Sequence, residues 1–531
     1  MRTTLLAATA VLAFSGSAMA ATDVDLVIEN ARIVDGSGNP WYRGSVAIDD
    51  GVIVQIGRNL DVNAQQTIDA KSRVLAPGFI DVHTHIESGI TDNPRADNFI
   101  LDGVTTVVTG NCGSSTVDLP SWRQSIVGPA INIATLVGHN SVRTAVMGRE
   151  NRAPTQAEML QMERLAEQAM IDGAVGLSTG LLYVPGTFAS TDEVISLAKV
   201  SSRFGGIYST HIRDQGPRLN ESIEEAVTIG READIPVQIS HLKIKGPIRW
   251  GRINETIGLI EEFRADGIEV TVDAYPYERA STSLAVMLPS WATAGSADDL
   301  LARLDDSETY RRILEEMEVM RTDSGYPDFS FATVASYPPN PAVNGLTISE
   351  INVDLERPAT IASEMELILQ MMADSARLGR TNGAQMVYHF MSKDDVDTIF
   401  RYPNTAVASD GGVREFGEGI PHPRSYGTNA RVLAEFVRER NVLSLPDAIR
   451  RMTSLPAQAF QMQDRGLIRT GFVADLVLFD PDQVQDLATY SDPHNFSRGF
   501  DYVLVNGVAV VEKGQVTNSR PGQFVDGPGA R

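Results

Sequence analysis

The sequence predicts a closed parallel (β/α)8 barrel of the TIM type, carrying a small β-sandwich domain built from both ends of the chain. Three observations predict it. Eight apolar strand candidates alternate with helical segments through the middle of the chain, which favours a barrel over an open sheet. Two β-textured stretches lie at opposite ends of the sequence. Several of the eight central strands end in side chains of one chemical kind.

The elements follow in order. Residues 1–20, MRTTLLAATAVLAFSGSAMA, have an early Arg, a short apolar run and a small-x-small close at Ala18-Met19-Ala20. They read as a cleaved secretion signal and not as a membrane anchor, since the run is short and broken by Ser and Gly. An exported, periplasmic or secreted protein is therefore expected. DLVIENARIVDG and GSVAIDDGVIVQIG, within 24–60, alternate in β fashion between Gly and Asp turns, and ADLVLFD and DYVLVNGVAVVEKGQV repeat that texture near the C-terminus. Residues 21–76 and 464–531 are assigned to one sheet domain, and 77–463 to the barrel.

The barrel strand candidates are FIDVH (79–83), TTVVTG (105–110), INIATLVG (131–138), GAVGLSTG (173–180), GIYSTH (206–211), PVQISH (236–241), IEVTVDAY (268–275) and TAVASD (405–410). Helical patterns at 154–172 and 221–234 fall between them. MVYHF (386–390) looks like a ninth strand. More than a hundred residues separate the seventh strand from the eighth, too many for a structureless loop, so a lid or subdomain is expected at about 290–385.

Composition narrows the function. A formal net charge of −23 repels nucleic acid and anionic membranes. No stretch after the signal is long and apolar enough to span a bilayer. Cys112 is the only cysteine in the chain, so it forms no intramolecular disulfide. It is an inert buried residue, an intermolecular bridge, or a residue with chemistry to do.

Barrel enzymes carry their chemistry at the C-terminal ends of the strands. Here the first strand ends in His83-Thr84-His85, and period two puts both imidazoles on one face. The second runs into Cys112, the fifth ends at His211, the sixth at His241 and the eighth at Asp410. Imidazole, thiolate and carboxylate are the ligands that suit Zn²⁺. Six ligands exceed one tetrahedral site and imply two positions sharing a bridge, for which Cys112 is the candidate. The competing reading is a set of hydrogen-bonded core histidines around an inert thiol.

The motifs FIDVHTHIE, TGNCG, GAVGLSTGLLYVPG, STHIRDQG, QISHLK, DAYPY and ASDGG…PHPRSYGT, in this order over nearly the whole mature chain, resemble the N-acyl-D-amino-acid deacylases (D-aminoacylases) of the amidohydrolase superfamily. The resemblance implies a zinc hydrolase that cleaves N-acyl-D-amino acids to a carboxylate and a free D-amino acid. It implies that Cys112, in place of the carboxylated lysine that strand four of most binuclear relatives supplies, bridges two metals. Cys112, His211 and His241 would hold the tight zinc; His83, His85 and Asp410 would line a second, weakly occupied site. Asp410 would shuttle the proton from water to the leaving nitrogen. Lys243, Tyr275 and Arg424 would clamp the substrate carboxylate, and Tyr183 matches a further active-site position. The loop VREFGEGI after Asp410 is longer here than the family pattern.

His139 reads as structural, His389 as core, His422 as shaping the loop beside Arg424, His494 as remote from the chemistry and Asp273 as orienting Tyr275. Leu284, Val286 and Met287 after DAYPY point to a neutral or apolar substrate side chain. The partner expected is a small N-acyl amino acid or peptide-like molecule. The alternatives are a dipeptidase or cyclic-amide hydrolase on the same scaffold, and, in another class, an exported binding protein without catalysis. The lysine that hydantoinase-like relatives need on strand four is missing from GAVGLSTG.

Overall fold

The computed structural model describes residues 22–531. The secretion signal expected at 1–20 lies outside the described residues. Eight parallel strands form the barrel: β1 Phe79–Asp81, β2 Val104–Thr109, β3 Asn132–Thr135 (continued by Val137–Gly138), β4 Gly176–Gly180, β5 Ile207–His211, β6 Val237–Ile239, β7 Val270–Ala274 and β8 Thr405–Val407. Nearly all their residues are buried, as expected of parallel strands covered on both faces. The ladder runs β1-β2-β3 and then through Val137–Gly138 to β4, β5, β6, β7 and β8. Closure comes just past the strand ends, where Asp410 N donates to His83 O at 2.8 Å and His85 N donates to Gly411 O at 2.7 Å.

These strands stop short of the motifs read from the sequence. β1 ends at Asp81 and β8 at Val407, so His83, His85 and Asp410 stand on the turns beyond them. The helix expected at 154–172 spans Gln156–Ile171, opened by a capping box in which Thr155 and Glu158 satisfy each other's backbone N–H groups. The one expected at 221–234 spans Leu219–Ala233 and stops at Asp234, which is left-handed at φ 50°. At the bottom of the barrel, Leu455, Phe460 and Met462 pack into Ile80, Val108, Val175 and Ile207.

MVYHF is not a barrel strand. Gln385–His389 is the middle of a separate three-stranded antiparallel sheet, between Arg279–Ser283 and Ala332–Ser336. Only the middle of this strand is buried and both its ends are exposed, the pattern of a small sheet covered by its own helices. His389 sits at an exposed end against Trp250, not in a core. The inserted subdomain is therefore wider than 290–385, since its first strand begins at Arg279 directly after β7.

The two chain ends share one nine-stranded sheet, in which Val74–Pro77 pairs with Thr22–Ile33 on one side and Leu476–Phe479 on the other. A bridge between Val52 and Val473 curls that sheet around a core of Ile28, Ile33, Val46, Leu476 and Leu504. Its last strand is Gln515–Val516. The remaining tail leaves the sheet domain and returns to the barrel, where Gln523 O accepts from Ile133 N and Val525 N donates to Ile133 O. Residues 522–531 thus belong with the barrel, while Thr517 still donates to Val510 O and Ala509 O of the sheet domain. No helix among the described residues is long and apolar enough to cross a membrane.

Candidate active site

Three residues at the mouth of the barrel have left-handed backbones: Cys112 at φ 53°, His241 at φ 35° and Asp410 at φ 50°. Non-glycine residues hold that conformation at a cost, and only where their surroundings over-determine it. For Cys112 those surroundings are specific. Asn111 Nδ2 donates to Val108 O at 3.0 Å, and Gly113 N donates to Ser178 Oγ at 3.1 Å. β4 can approach so closely because Gly180 has no side chain; a Cβ there would meet Cys112 O at 2.1 Å.

The thiol lies at the centre of the cluster. Cys112 Sγ is 3.3 Å from His83 Nε2, 3.5 Å from His241 Nε2 and 3.6 Å from His211 Nδ1. Asp410 Oδ1 is 3.2 Å from His85 Nε2 and 3.7 Å from His83 Nε2. Two compact donor sets result: His83, Cys112 and His241, and His83, His85 and Asp410, each with its ligand atoms within 4.8 Å of one another. His83 belongs to both. His211 touches the thiol from outside these sets, and its Nε2 is buried without a partner.

Electrostatics divides the cluster: Cys112, Asp410, His211 and His241 are held in the forms that bind cations. Burial would lower His83 and His85, but Cys112 and Asp273 raise the first well above its ordinary value, and Asp410 and Cys112 raise the second to about 9. Burial alone would raise the Cys112 thiol, but the His83 charge and the hydrogen bonds of His211 and His241 bring it well below its ordinary range. Burial pushes His211 down, and burial with the Lys243 charge pushes His241 down to about 3. Burial would also raise the Asp410 carboxyl, yet Arg424 and His83 hold it well below the usual carboxylate range. A thiolate, a carboxylate and four imidazoles, two of them neutral and two that a bound cation would deprotonate, are the donor set of a transition metal such as zinc. The residues fit the ion.

Two carboxylates beneath the cluster have roles the sequence reading did not assign. Asp273 accepts from His241 N at 2.7 Å, and the same oxygen lies 3.3 Å from His83 Nδ1. It orients two candidate ligands, and no hydrogen bond joins its carboxylate to Tyr275, whose Oη is without a partner. Asp81 ties β1 to β8 by accepting from His83 N at 3.2 Å and Ser409 N at 3.0 Å, and burial raises its carboxyl to about 6. Partners of this kind fix ring orientation, so Asp273→Asn is expected to weaken metal retention about 10–100-fold. A chelator titration followed by metal analysis checks it; retention equal to wild type would return Asp273 to a purely structural role.

The residues expected to bind a carboxylate also converge. The Tyr275 ring lies between two cations, with Lys243 Nζ 5.3 Å and Arg424 Cζ 4.7 Å from its centre. Tyr275 Oη is buried without a partner, and Lys243 Nζ has only a long 3.4 Å contact to Gln215 Oε1. Burial pushes the Lys243 ammonium down to about 7. Arg424 pairs with Asp410 Oδ2 at 2.9 Å, so the long loop between them still brings the two together. Tyr183 stacks edge-on against His211 at 4.7 Å, its Oη accepting from Thr282 Oγ1 at 3.2 Å.

The remaining histidines are accounted for. His139 Nε2 meets buried Glu193 at 2.9 Å, a structural pair. His422 bonds Arg279 O at 2.9 Å and accepts from Arg424 N at 3.0 Å, shaping the loop before the clamp. His494, remote in sequence, reaches the same loop: it contacts Tyr426 Oη at 2.8 Å and Gly419 O at 3.1 Å.

Two cavities open from the cluster, one on each side of Tyr183 and Thr282. One, of about 420 Å³, is lined by Lys243 and Tyr275 with Leu182, Val286, Val319 and Met320. Of the three apolar residues expected near the substrate, only Val286 reaches it; Leu284 and Met287 are buried within the insertion. The other, of about 910 Å³, is lined by His85, Cys112, Arg424 and a mainly polar wall.

The sequence matches the Amidohydrolase family over residues 66–307 and 338–511. It is 36% identical to an N-acyl-D-aspartate deacylase of Alcaligenes xylosoxydans xylosoxydans, over 95% of this chain and 96% of that one. It is 32% identical to a D-aminoacylase of the same organism, over 94% and 97%. The structure of an N-acyl-D-glutamate deacylase from Bordetella bronchiseptica, complexed with zinc and a phosphonate mimic of the tetrahedral intermediate, superposes with a TM-score of 0.80 at 32% identity, covering 95% of this chain and all of that one. With a family match over most of its length and relatives above 30% identity along nearly all of it, the chain belongs to the N-acyl-D-amino-acid deacylases of the amidohydrolase family.

Proposed function

We propose that the protein is an exported, zinc-dependent hydrolase that cleaves N-acyl-D-amino acids to a carboxylate and a free D-amino acid. The observation that carries this reading is the Cys112-centred cluster of donors standing beside a separate cationic clamp. Bound among Cys112, His83, His211 and His241, the ion would supply a Lewis acid that polarises the amide carbonyl and acidifies water. The protein's own residues do the rest. Asp410 takes the proton that water gives up and delivers it to the amide nitrogen, a poor leaving group until protonated. Lys243, Tyr275 and Arg424 hold the substrate's free carboxylate through charge-assisted and hydroxyl hydrogen bonds. The apolar wall at Val286, Val319 and Met320 suits a neutral side chain. The ending of residues 1–20 on a small-x-small site supports export.

Hydantoin-type cyclic amides fit less well, because their α-carboxyl is tied up in the ring and offers no free carboxylate to the clamp. The test is turnover of matched N-acetyl-D- and L-amino acids, with and without added zinc. Fixing the carbonyl at the cluster and the carboxylate at the clamp leaves one direction for the side chain, so one hand is excluded. D-Substrates should be hydrolysed and L-substrates not; the reverse preference would overturn the reading. Lys243→Ala should cost about ten- to a hundred-fold in kcat/KM on acids, the scale of about 1.5–3 kcal/mol for a lost charge-assisted contact. Amidated analogues should be poor with wild type and little changed by the substitution. An equal loss on both would make Lys243 a residue of the fold.

A further inference from the structure

Of the three clamp residues, Lys243 and Tyr275 face only the smaller cavity and Arg424 only the larger. Two of the three thus put the amino-acid half of the substrate on the smaller side, with its carboxylate at the boundary. The acyl half then extends into the cavity of about 910 Å³, far more room than an acetyl group needs. That cavity is polar: Ser114, Ser115, Ser141, Ser281, Ser283 and Ser336 line it. It is also cationic. Besides Arg424 it presents Arg149 and Arg414, and Asp410, the sole carboxylate on its wall, is already paired with Arg424.

The two further arginines have no acidic partner. Arg149 makes only long contacts to backbone carbonyls, to Val184 O at 3.4 Å and Thr293 O at 3.3 Å, and its Nε is buried with no partner at all. Arg414 makes one long contact, to Ser425 Oγ at 3.4 Å, and its surface is open to the cavity. Asp92, Glu415 and Glu418 stand beyond Arg414 on an adjoining cavity, and no ion pair joins them to it. The buried Arg149 Nε, a donor left without an acceptor, is unfavourable until an anion arrives.

Resting on the deacylase reading, we propose that this larger cavity is an anion-accepting acyl subsite, and that the favoured substrates are D-amino acids acylated by a dicarboxylic acid, of the N-succinyl or N-glutaryl class. Arg149 and Arg414 receive the distal carboxylate, and the serine wall binds the polar chain between it and the scissile carbonyl. Hydrolysis breaks the carbonyl–nitrogen bond; the oxygen of water goes to the acyl carbon, both its protons end on the nitrogen as ammonium, and the products are a dicarboxylate and a free D-amino acid.

The test compares kcat/KM for N-succinyl-D-leucine with N-butyryl-D-leucine, which has the same acyl length without the charge, and N-acetyl-D-glutamate with N-acetyl-D-leucine. The zinc-loaded wild type should prefer succinyl over butyryl by about tenfold or more, the scale of one charge-assisted contact. In Arg414→Gln that ratio should fall toward one, and in Arg149→Gln likewise, while the glutamate-to-leucine ratio stays put. Arg414 is on an exposed loop, so its variant tests the idea even where Arg149→Gln fails to fold. No succinyl preference in wild type, or one that survives both substitutions, would overturn the proposal. So would a collapse of the glutamate-to-leucine ratio instead, which would give the arginines to the substrate side chain. Failure to hydrolyse any N-acyl-D-amino acid would remove the underlying deacylase reading, a distinct result.

Discussion

Cys112→Ala is expected to abolish metal binding and activity together. The thiol is within 3.6 Å of three imidazole nitrogens, and it is the one anionic donor in the His83, Cys112 and His241 set. Alanine would leave that set with imidazoles alone, and Asp410 at 3.7 Å from His83 as the nearest charge to a divalent cation. The loss should exceed the roughly 10–100-fold that removal of an outer partner of a ligand costs. Metal analysis of the purified variant, alongside turnover, measures both effects. Wild type offers a second readout. Its thiolate should resist alkylation while metal is bound and react readily once a chelator strips it, because a depressed thiol pKa makes the bare thiolate reactive. Full metal content and normal turnover in Cys112→Ala would make the lone cysteine an inert buried residue after all.

The lone cysteine also shows why so much of this site was legible in the sequence. A barrel puts its chemistry at strand ends, and each apolar run announces its own end, so polar residues just after the runs identify themselves. His83, His85, Cys112, His211, His241 and Asp410 were all found in that way. Their mutual distances were not, because they depend on backbone turns. Three of the six sit in left-handed conformations that no pattern of apolar residues encodes. Asp273 was undervalued for a related reason. It lies inside β7, where period two assigns it a face but not a neighbour, and its bonds to His241 and His83 cross to other strands. His494 is far from the chemistry in sequence, and its hold on a loop more than seventy residues away is a long-range contact that no local pattern shows. The insertion misled for a plainer reason. MVYHF has the composition of a buried strand, and composition does not say which sheet a strand joins.

Asp410→Asn is expected to separate proton transfer from every other contribution of that residue. The substitution keeps the shape, and asparagine tolerates the left-handed φ of 50° as well as aspartate does, so the loop should survive. What is lost is a group that accepts a proton and returns it. Turnover should fall by roughly 10²–10⁴-fold, the usual scale for general acid–base catalysis. Metal bound among Cys112, His83, His211 and His241 should remain, which metal analysis checks. KM should not rise, because Arg424 loses its 2.9 Å partner in Asp410 and becomes freer to hold the substrate carboxylate. A replacement for the substrate makes the test sharper. In an α-acyloxy acid, the ester analogue of an N-acyl amino acid, the leaving oxygen needs far less protonation than an amide nitrogen. If Asp410 delivers the proton, the variant should lose much less on the ester than on the amide. An equal loss on both would assign Asp410 to holding the metal or the loop, and unimpaired amide turnover would remove it from the mechanism.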